Sequence, residues 1–169
     1  MNYFGSKYLH ERPKAAILNS RQSKRPIGSD KWIVNTMNAV KYCAENGYAV
    51  LTSVNIKTYE LTTFACAYFD VPSIIILQGN NNPESLINET VEQFRLTETN
   101  TGFYYDNSTR AKGKSGWLSR DEFIINHADI IIPVSVNPKG NLSKLIKGSE
   151  RPALLDFRTG YIRQPRKLK

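Results

Sequence analysis

The sequence predicts an α/β fold of three layers, with a mostly parallel sheet and helices on both of its faces, and three observations carry that prediction. The first is the stretch 48–77, YAVLTSVNIKTYELTTFACAYFDVPSIIIL, where an apolar run, a polar loop, a segment of helical length and a second apolar run make one βαβ unit. The second is that strand, polar loop, amphipathic helix and strand already occur in this order over 14–51. The third is the near-continuous apolar, β-rich character of 14–19 (KAAILN), 48–51, 73–77 and 129–136 (DIIIPVSV), which suits strands covered on both faces. Residues 16–18, 50–51, 74–76 and 130–132 are expected at the sheet centre.

Taken in order, residues 1–13 read as a polar lead, and 14–19 as the first buried strand, followed by the polar loop NSRQSKRPIGSD. Ser29 or Asp30 can cap a helix running to about Asn46, with Gly47 suited to the left-handed position beyond it. Ile33, Met37, Val40 and Ala44 form its apolar stripe. In the next crossover, 61–69 places Leu61, Phe64, Ala65 and Tyr68 on one stripe, and Val71-Pro72 ends the helix. Pro83 opens a helix over 85–94. GFYY (102–105) is a candidate strand, and the basic turn TRAKGKSG follows it. A helix over 119–127, the strand 129–136, the loop NPKGN and a helix over 142–147 come next, and ALLDF and GYIR are candidate edge strands.

At 169 residues the chain fits one domain, with a core at about 14–157 and a basic tail at 158–169. Its 40% hydrophobic and 22% charged residues mark it as globular rather than disordered. No apolar run is long enough to span a bilayer and the first residues carry no signal-peptide pattern, so a cytoplasmic location and no membrane partner are expected. The two cysteines, Cys43 and Cys66, fall in helices without metal spacing, so neither a metal nor a resident cofactor is expected. A formal charge of +8 points to a polyanionic partner, nucleotide or nucleic acid, although the basic runs near the ends and in loops also suit a solvated surface.

Three polar loops, 19–24, 52–60 and 135–141, each follow a parallel strand and therefore converge at the carboxyl edge of the sheet, where helix N-termini favour an anion. Asn19, Ser20, Arg21 and Ser23 in the first, Ser53, Asn55, Lys57 and Thr58 in the second, and Lys139, Gly140 and Asn141 in the third form a donor-rich rim. Arginine suits phosphate because its planar fork grips two oxygens. Singly, each of these residues also suits a cap or a turn; together they point to phosphate. The acids placed near this edge, Glu60 and Asp121, are the candidates for a catalytic carboxylate, and each also suits a cap or an ion pair. No Ser-His-Asp set or P-loop can be assembled, and His127 reads as a helix-end residue.

The succession AILNSR, a helix ending in NG, YAVLTS, a helix, SIIILQG and SRDEFIINHADIIIPVSVNPKGNLSKLI resembles the Rossmann-like domain of DNA-processing protein A and, more broadly, the SLOG superfamily that includes the Lonely-guy phosphoribohydrolases. The resemblance covers about 14–147. It implies a Rossmann-like fold that uses this edge for nucleotides, nucleotide-derived signals or the DNA backbone. It sets Asn19, Ser20 and Arg21 at the family's Gly-Ser-Arg-like turn, and Arg120-Asp121 at its Arg-Asn pair opening a later helix. Two departures stand out. The family's glycine-rich turn is replaced by SVNIKTYE (53–60), which implies a reshaped pocket reached by Asn55 or Lys57. The phosphoribohydrolase signature is reduced to NPKGNL (137–142), with Lys144 near the position of its glutamate.

The function expected is therefore binding, by sensing or sequestration, of a phosphorylated nucleotide or nucleotide-derived signal such as an ADP-ribose derivative, with a homo-oligomer as one arrangement. The enzyme alternative is nucleotide N-glycosidic hydrolysis through Glu60 or Asp121. The nucleic-acid alternative is single-strand DNA binding, with Tyr104, Tyr105 and Trp117 as stacking candidates.

Overall fold

The computed structural model describes residues 1–22, 26–79, 82–107 and 113–160. Its six-stranded sheet runs in the order β1 (Asn2–Phe4), β5 (Thr101–Asp106), β4 (Ser73–Gln78), β3 (Ala49–Ser53), β2 (Lys14–Asn19), β6 (Ile130–Ser135). Every neighbouring pair is parallel except β1 with β5. The expected centre holds for Ala16–Leu18, Val50, Leu51 and Ile74–Ile76, all at most 1% exposed, but not for 130–132: β6 is an edge strand, in which Ile131 and Ile132 are buried and Ile130 is half-buried.

Helices cover both faces, giving the three layers. On one face α2 (Lys31–Glu45) and α3 (Lys57–Tyr68) pack Val40, Cys43, Ala65 and Cys66 on Ala15, Ile17, Val50 and Ile132. Beside them α4 (Pro83–Phe94) lays Leu86, Ile87 and Val91 on Ile75 and Phe103. On the other face α5 (Gly113–His127) and α6 (Asn141–Gly148) bury Ile124, Ile125 and Leu142, with Ala128 just beyond α5, against Leu18, Leu51, Ile76 and Ile131. The helix ends follow local chemistry. Asn82 accepts from the Glu84 amide ahead of Pro83, and Gly47 takes φ +74° after α2.

Several expectations are corrected. The lead is ordered: β1 pairs with β5, and α1 (Lys7–Glu11) buries Leu9, with Ser6 capping it. In α3 the inward face is Thr58, Tyr59, Thr62, Thr63, Ala65 and Cys66, whereas Phe64 and Tyr68 are 49% and 68% exposed. The threonines tolerate burial because their hydroxyls find backbone carbonyls: Thr62 donates to Thr58 O and Thr63 to Ser53 O. In α2 the buried side is Trp32, Thr36, Ala39, Val40 and Cys43, one position round from the expected stripe, and Ala44 is exposed. Asp30 is the N-cap of α2 but makes no side-chain cap bond. The loop expected over 52–60 shrinks to 54–56, because β3 runs on to Ser53 and α3 starts at Lys57. Arg120 lies inside α5 rather than at a helix opening. ALLDF contributes only an isolated bridge, Ala153 to Ile131, and 113–116 of the expected basic turn open α5 instead, while Ser23, 109–112 of that turn and 161–169, with GYIR beyond Gly160, lie outside the described residues. Among the described residues no helix is long and apolar enough to cross a membrane.

Candidate ligand-binding site at the carboxyl edge

The chain steps from β2 through β3 and β4 to β5 in one direction, then returns by α5 to place β6 on the opposite side of β2. The connections leaving β2 and β6 therefore diverge to α2 on one face and α6 on the other. A crevice at such a reversal is where open α/β sheets bind ligands. Here it is a cleft of about 360 Å³, within the range of small-molecule pockets. Two smaller hollows adjoin it, of about 240 Å³ toward Trp32 and about 100 Å³ toward Gln78.

Most of the residues expected from the sequence meet here. Asn19, Ser20, Arg21, Thr58, Arg120, Asp121, Gly140 and Asn141 line the main cleft. Asn55 and Lys57 line the second hollow, and Ser53 and Asn55 the third. Lys139 is exposed outside these linings, with its amide donating to Asn137 Oδ1, and Glu60 also lies outside them.

Each side chain is held by an identifiable device. The Ser20 amide donates to Ser135 O and its hydroxyl accepts from the Asn137 amide, so Ser20 joins the β2 and β6 loops. Ser53 is 2% exposed and its hydroxyl donates to Ile76 O, which commits its only proton to the neighbouring strand. Asn55 takes φ +67°, the left-handed conformation that asparagine tolerates better than most residues, so the turn makes a glycine-like bend without glycine. The N-caps of α3 and α6, Ile56 and Gly140, make no side-chain cap bond. The positive ends of two helices thus face the cleft region without a capping side chain.

Two arginines set the electrostatics. Arg21, exposed, stacks over the ring of Trp117 at 4.3 Å. Arg120 is 3% exposed; its Nη2 and Nε donate to Asp121 Oδ1 at 3.1 and 3.3 Å, and its guanidinium lies 4.6 Å from the Tyr59 ring centroid. Asp121 Oδ1 also accepts from the Tyr59 hydroxyl at 2.9 Å. Burial raises the Asp121 carboxyl above the usual carboxylate range, outweighing Arg120 and the hydrogen bonds, which lower it. Burial, with Asp121 beside it, pushes the Tyr59 hydroxyl well up, so it stays a donor. Sequence reasoning did not single out Tyr59, Trp32, Gln22 or Asn137. Trp117 was named only as a stacking aromatic, and its partnership with Arg21, across 96 positions, has no local signal.

No family model and no curated protein matches the chain. Solved structures do. DNA processing protein A from Helicobacter pylori, described by its single-stranded DNA binding, superposes with a TM-score of 0.63 at 16% identity, over 89% of this chain and 68% of its own. The chain shares the Rossmann-like α/β fold of this structure. The Streptococcus pneumoniae DNA processing protein A gives a TM-score of 0.61 at 14% identity, over 89% of this chain and 53% of its own. The molybdenum cofactor carrier protein of Chlamydomonas reinhardtii gives 0.55 at 10% identity, over 85% and 75%. At such identities the shared fold is what these likenesses establish. Solved proteins with this fold include one that binds single-stranded DNA and one that carries a small molecule.

Proposed function

We propose that the chain binds a phosphorylated nucleotide or nucleotide-derived molecule in the cleft between β2 and β6, as a sensor or sequestering protein. The observation that carries this reading is the concentration of anion-attracting groups around one cleft: Arg21, the buried Arg120, and α3 and α6 N-termini without capping side chains. The indole of Trp117, 38% exposed beside Arg21, suits a planar base.

The hydrolytic alternative has less support. Asp121 Oδ1 already accepts three hydrogen bonds, and Glu60 does not line the cleft. A second binding reading, single-stranded nucleic acid, is favoured by Trp117, which is 38% exposed beside Arg21 in a cleft continuous with open surface.

Arg21 provides the test. Calorimetry against mono- and dinucleotides, cyclic dinucleotides and ADP-ribose isomers should find a ligand whose affinity falls about ten- to a hundredfold in Arg21→Ala. Arg21→Lys should lose much of the same affinity, because lysine keeps the charge without the fork. A ligand at a hundred times its dissociation constant should also add about 2.7 kcal/mol of stability to the parent protein. Affinity unchanged in both variants would place the site elsewhere.

A further inference from the structure

Asn19 is the last residue of β2, 7% exposed, and lines the main cleft. Its amide orientation follows from its neighbour. Thr36 Oγ1 donates its one proton to Trp32 O at 2.7 Å, so toward Asn19 it can only accept. Only an N–H can face an acceptor, which fixes Asn19 Nδ2 on Thr36, at 2.9 Å, and turns Oδ1 to the other side. Oδ1 is shielded from water and has no donor among the described residues. A buried carbonyl left unpaired is costly, and such a group in a native fold calls for a partner.

Asn19 lines a cleft whose polar lining is otherwise mostly donors, the Asp121 carboxylate being taken up by Arg120 and Tyr59. Arg21 is two residues farther along the chain, and the α6 N-terminus, tied to Ser20 through the Asn137 amide, forms the adjoining wall. An anion suits those donors but not a carbonyl oxygen. A molecule that satisfies both carries a phosphate and, a few bonds away, a hydroxyl. The hydroxyls of a phosphorylated ribose have that relation to the phosphate, whereas the exocyclic groups of a base lie beyond the glycosidic bond.

We infer that Asn19 is a specificity-determining residue whose Oδ1 accepts a hydrogen bond from a ribose hydroxyl, so the cleft selects ribonucleotide-type ligands over bare phosphate and deoxy analogues. This rests on the nucleotide reading above and adds to it the sugar and its contact. A shielded acceptor discriminates well because an analogue lacking the hydroxyl leaves it unpaired.

The experiment is calorimetry with adenosine 5′-monophosphate, its 2′,3′-dideoxy analogue and inorganic phosphate on the parent protein and on Arg21→Ala, Asn19→Leu and Thr36→Val. The parent should bind the ribonucleotide about tenfold or more tightly than the dideoxy analogue, and phosphate more weakly still. Asn19→Leu should bind both nucleotides at the parent's dideoxy level. Thr36→Val, which frees the amide to turn over without touching the ligand, should narrow the discrimination while circular dichroism shows an intact fold. Arg21-dependent binding that is equal for the two nucleotides, or discrimination that persists in Asn19→Leu, would overturn the inference and leave the nucleotide reading standing. Absence of Arg21-dependent binding of all three would overturn the inference, and absence of it across the wider nucleotide panel above would overturn the nucleotide reading as well.

Discussion

The guanidinium of Arg120 is held between the ring of Tyr59 and the carboxylate of Asp121, with its side chain 4% exposed. A buried cation needs such partners, because a lone charge in this position would carry a desolvation penalty of several kcal/mol. Asp121 shares the cost: burial raises its pKa relative to the unfolded chain, so folding favours its protonated form. The sign follows from linkage. Between the ordinary carboxylate pKa and the raised one, the native state holds more proton than the unfolded state, so the Asp121 contribution is fully present below that window and falls as pH rises through it. Urea unfolding of the parent and Asp121→Asn across this acid range should show the parent losing stability with rising pH relative to the variant. Parallel pH profiles would mean that Asp121 titrates as in the unfolded chain.

At the scale of elements, the lead segment gives the next prediction. The hydroxyl end of Tyr3 lies against Gly102 in β5, where a Cβ would meet Tyr3 Oη at 2.5 Å and ring carbons at 3.1 Å. The same ring donates from Oη to Ser6 O and packs edge-on against His10 and Tyr104. Gly102→Ala must push this ring away and should destabilise the protein by about 1–3 kcal/mol in chemical denaturation. Gly28→Ala, where a Cβ meets nothing within 4 Å, should stay near the parent value. The segment's role was illegible in the sequence because β1 has only three residues and is antiparallel to a strand about a hundred positions away. The central strands were legible because burial on both faces demands an unbroken apolar run. Helix faces were less so: α3 buries threonines whose hydroxyls are satisfied by Thr58 O and Ser53 O, and leaves Phe64 stacked on Tyr68 at the surface. Hydropathy alone reads that helix the wrong way round. Of the site, the loop positions could be read from βα alternation, whereas Tyr59 beside Arg120 and Trp117 beside Arg21 depend on how α5 crosses the sheet.

For the molecule as a whole, the question is how a chain of net charge +8 distributes itself around one cleft. Arg21, Lys57 and Lys139 are exposed at or near the carboxyl edge, whereas Arg120 is buried and paired. A small nucleotide confined to the cleft would engage few of these, and its affinity should respond weakly to salt. A single strand lying across the edge would neutralise several phosphates at once and release their counterions. With about three contacts, the logarithm of its association constant should fall with the logarithm of salt concentration at a slope near −2, from roughly −0.7 per phosphate for single strands. Arg21→Ala should then flatten the slope by about 0.7, and Trp117→Ala should weaken binding at every salt concentration, because stacking on the indole is not screened. Fluorescence anisotropy of a labelled oligonucleotide under a salt titration gives both numbers. A slope near zero for a strand that nonetheless binds, with displacement by a mononucleotide, would assign the site to the small molecule. A steep slope altered by Arg21→Ala would show that the strand uses the same edge of the sheet.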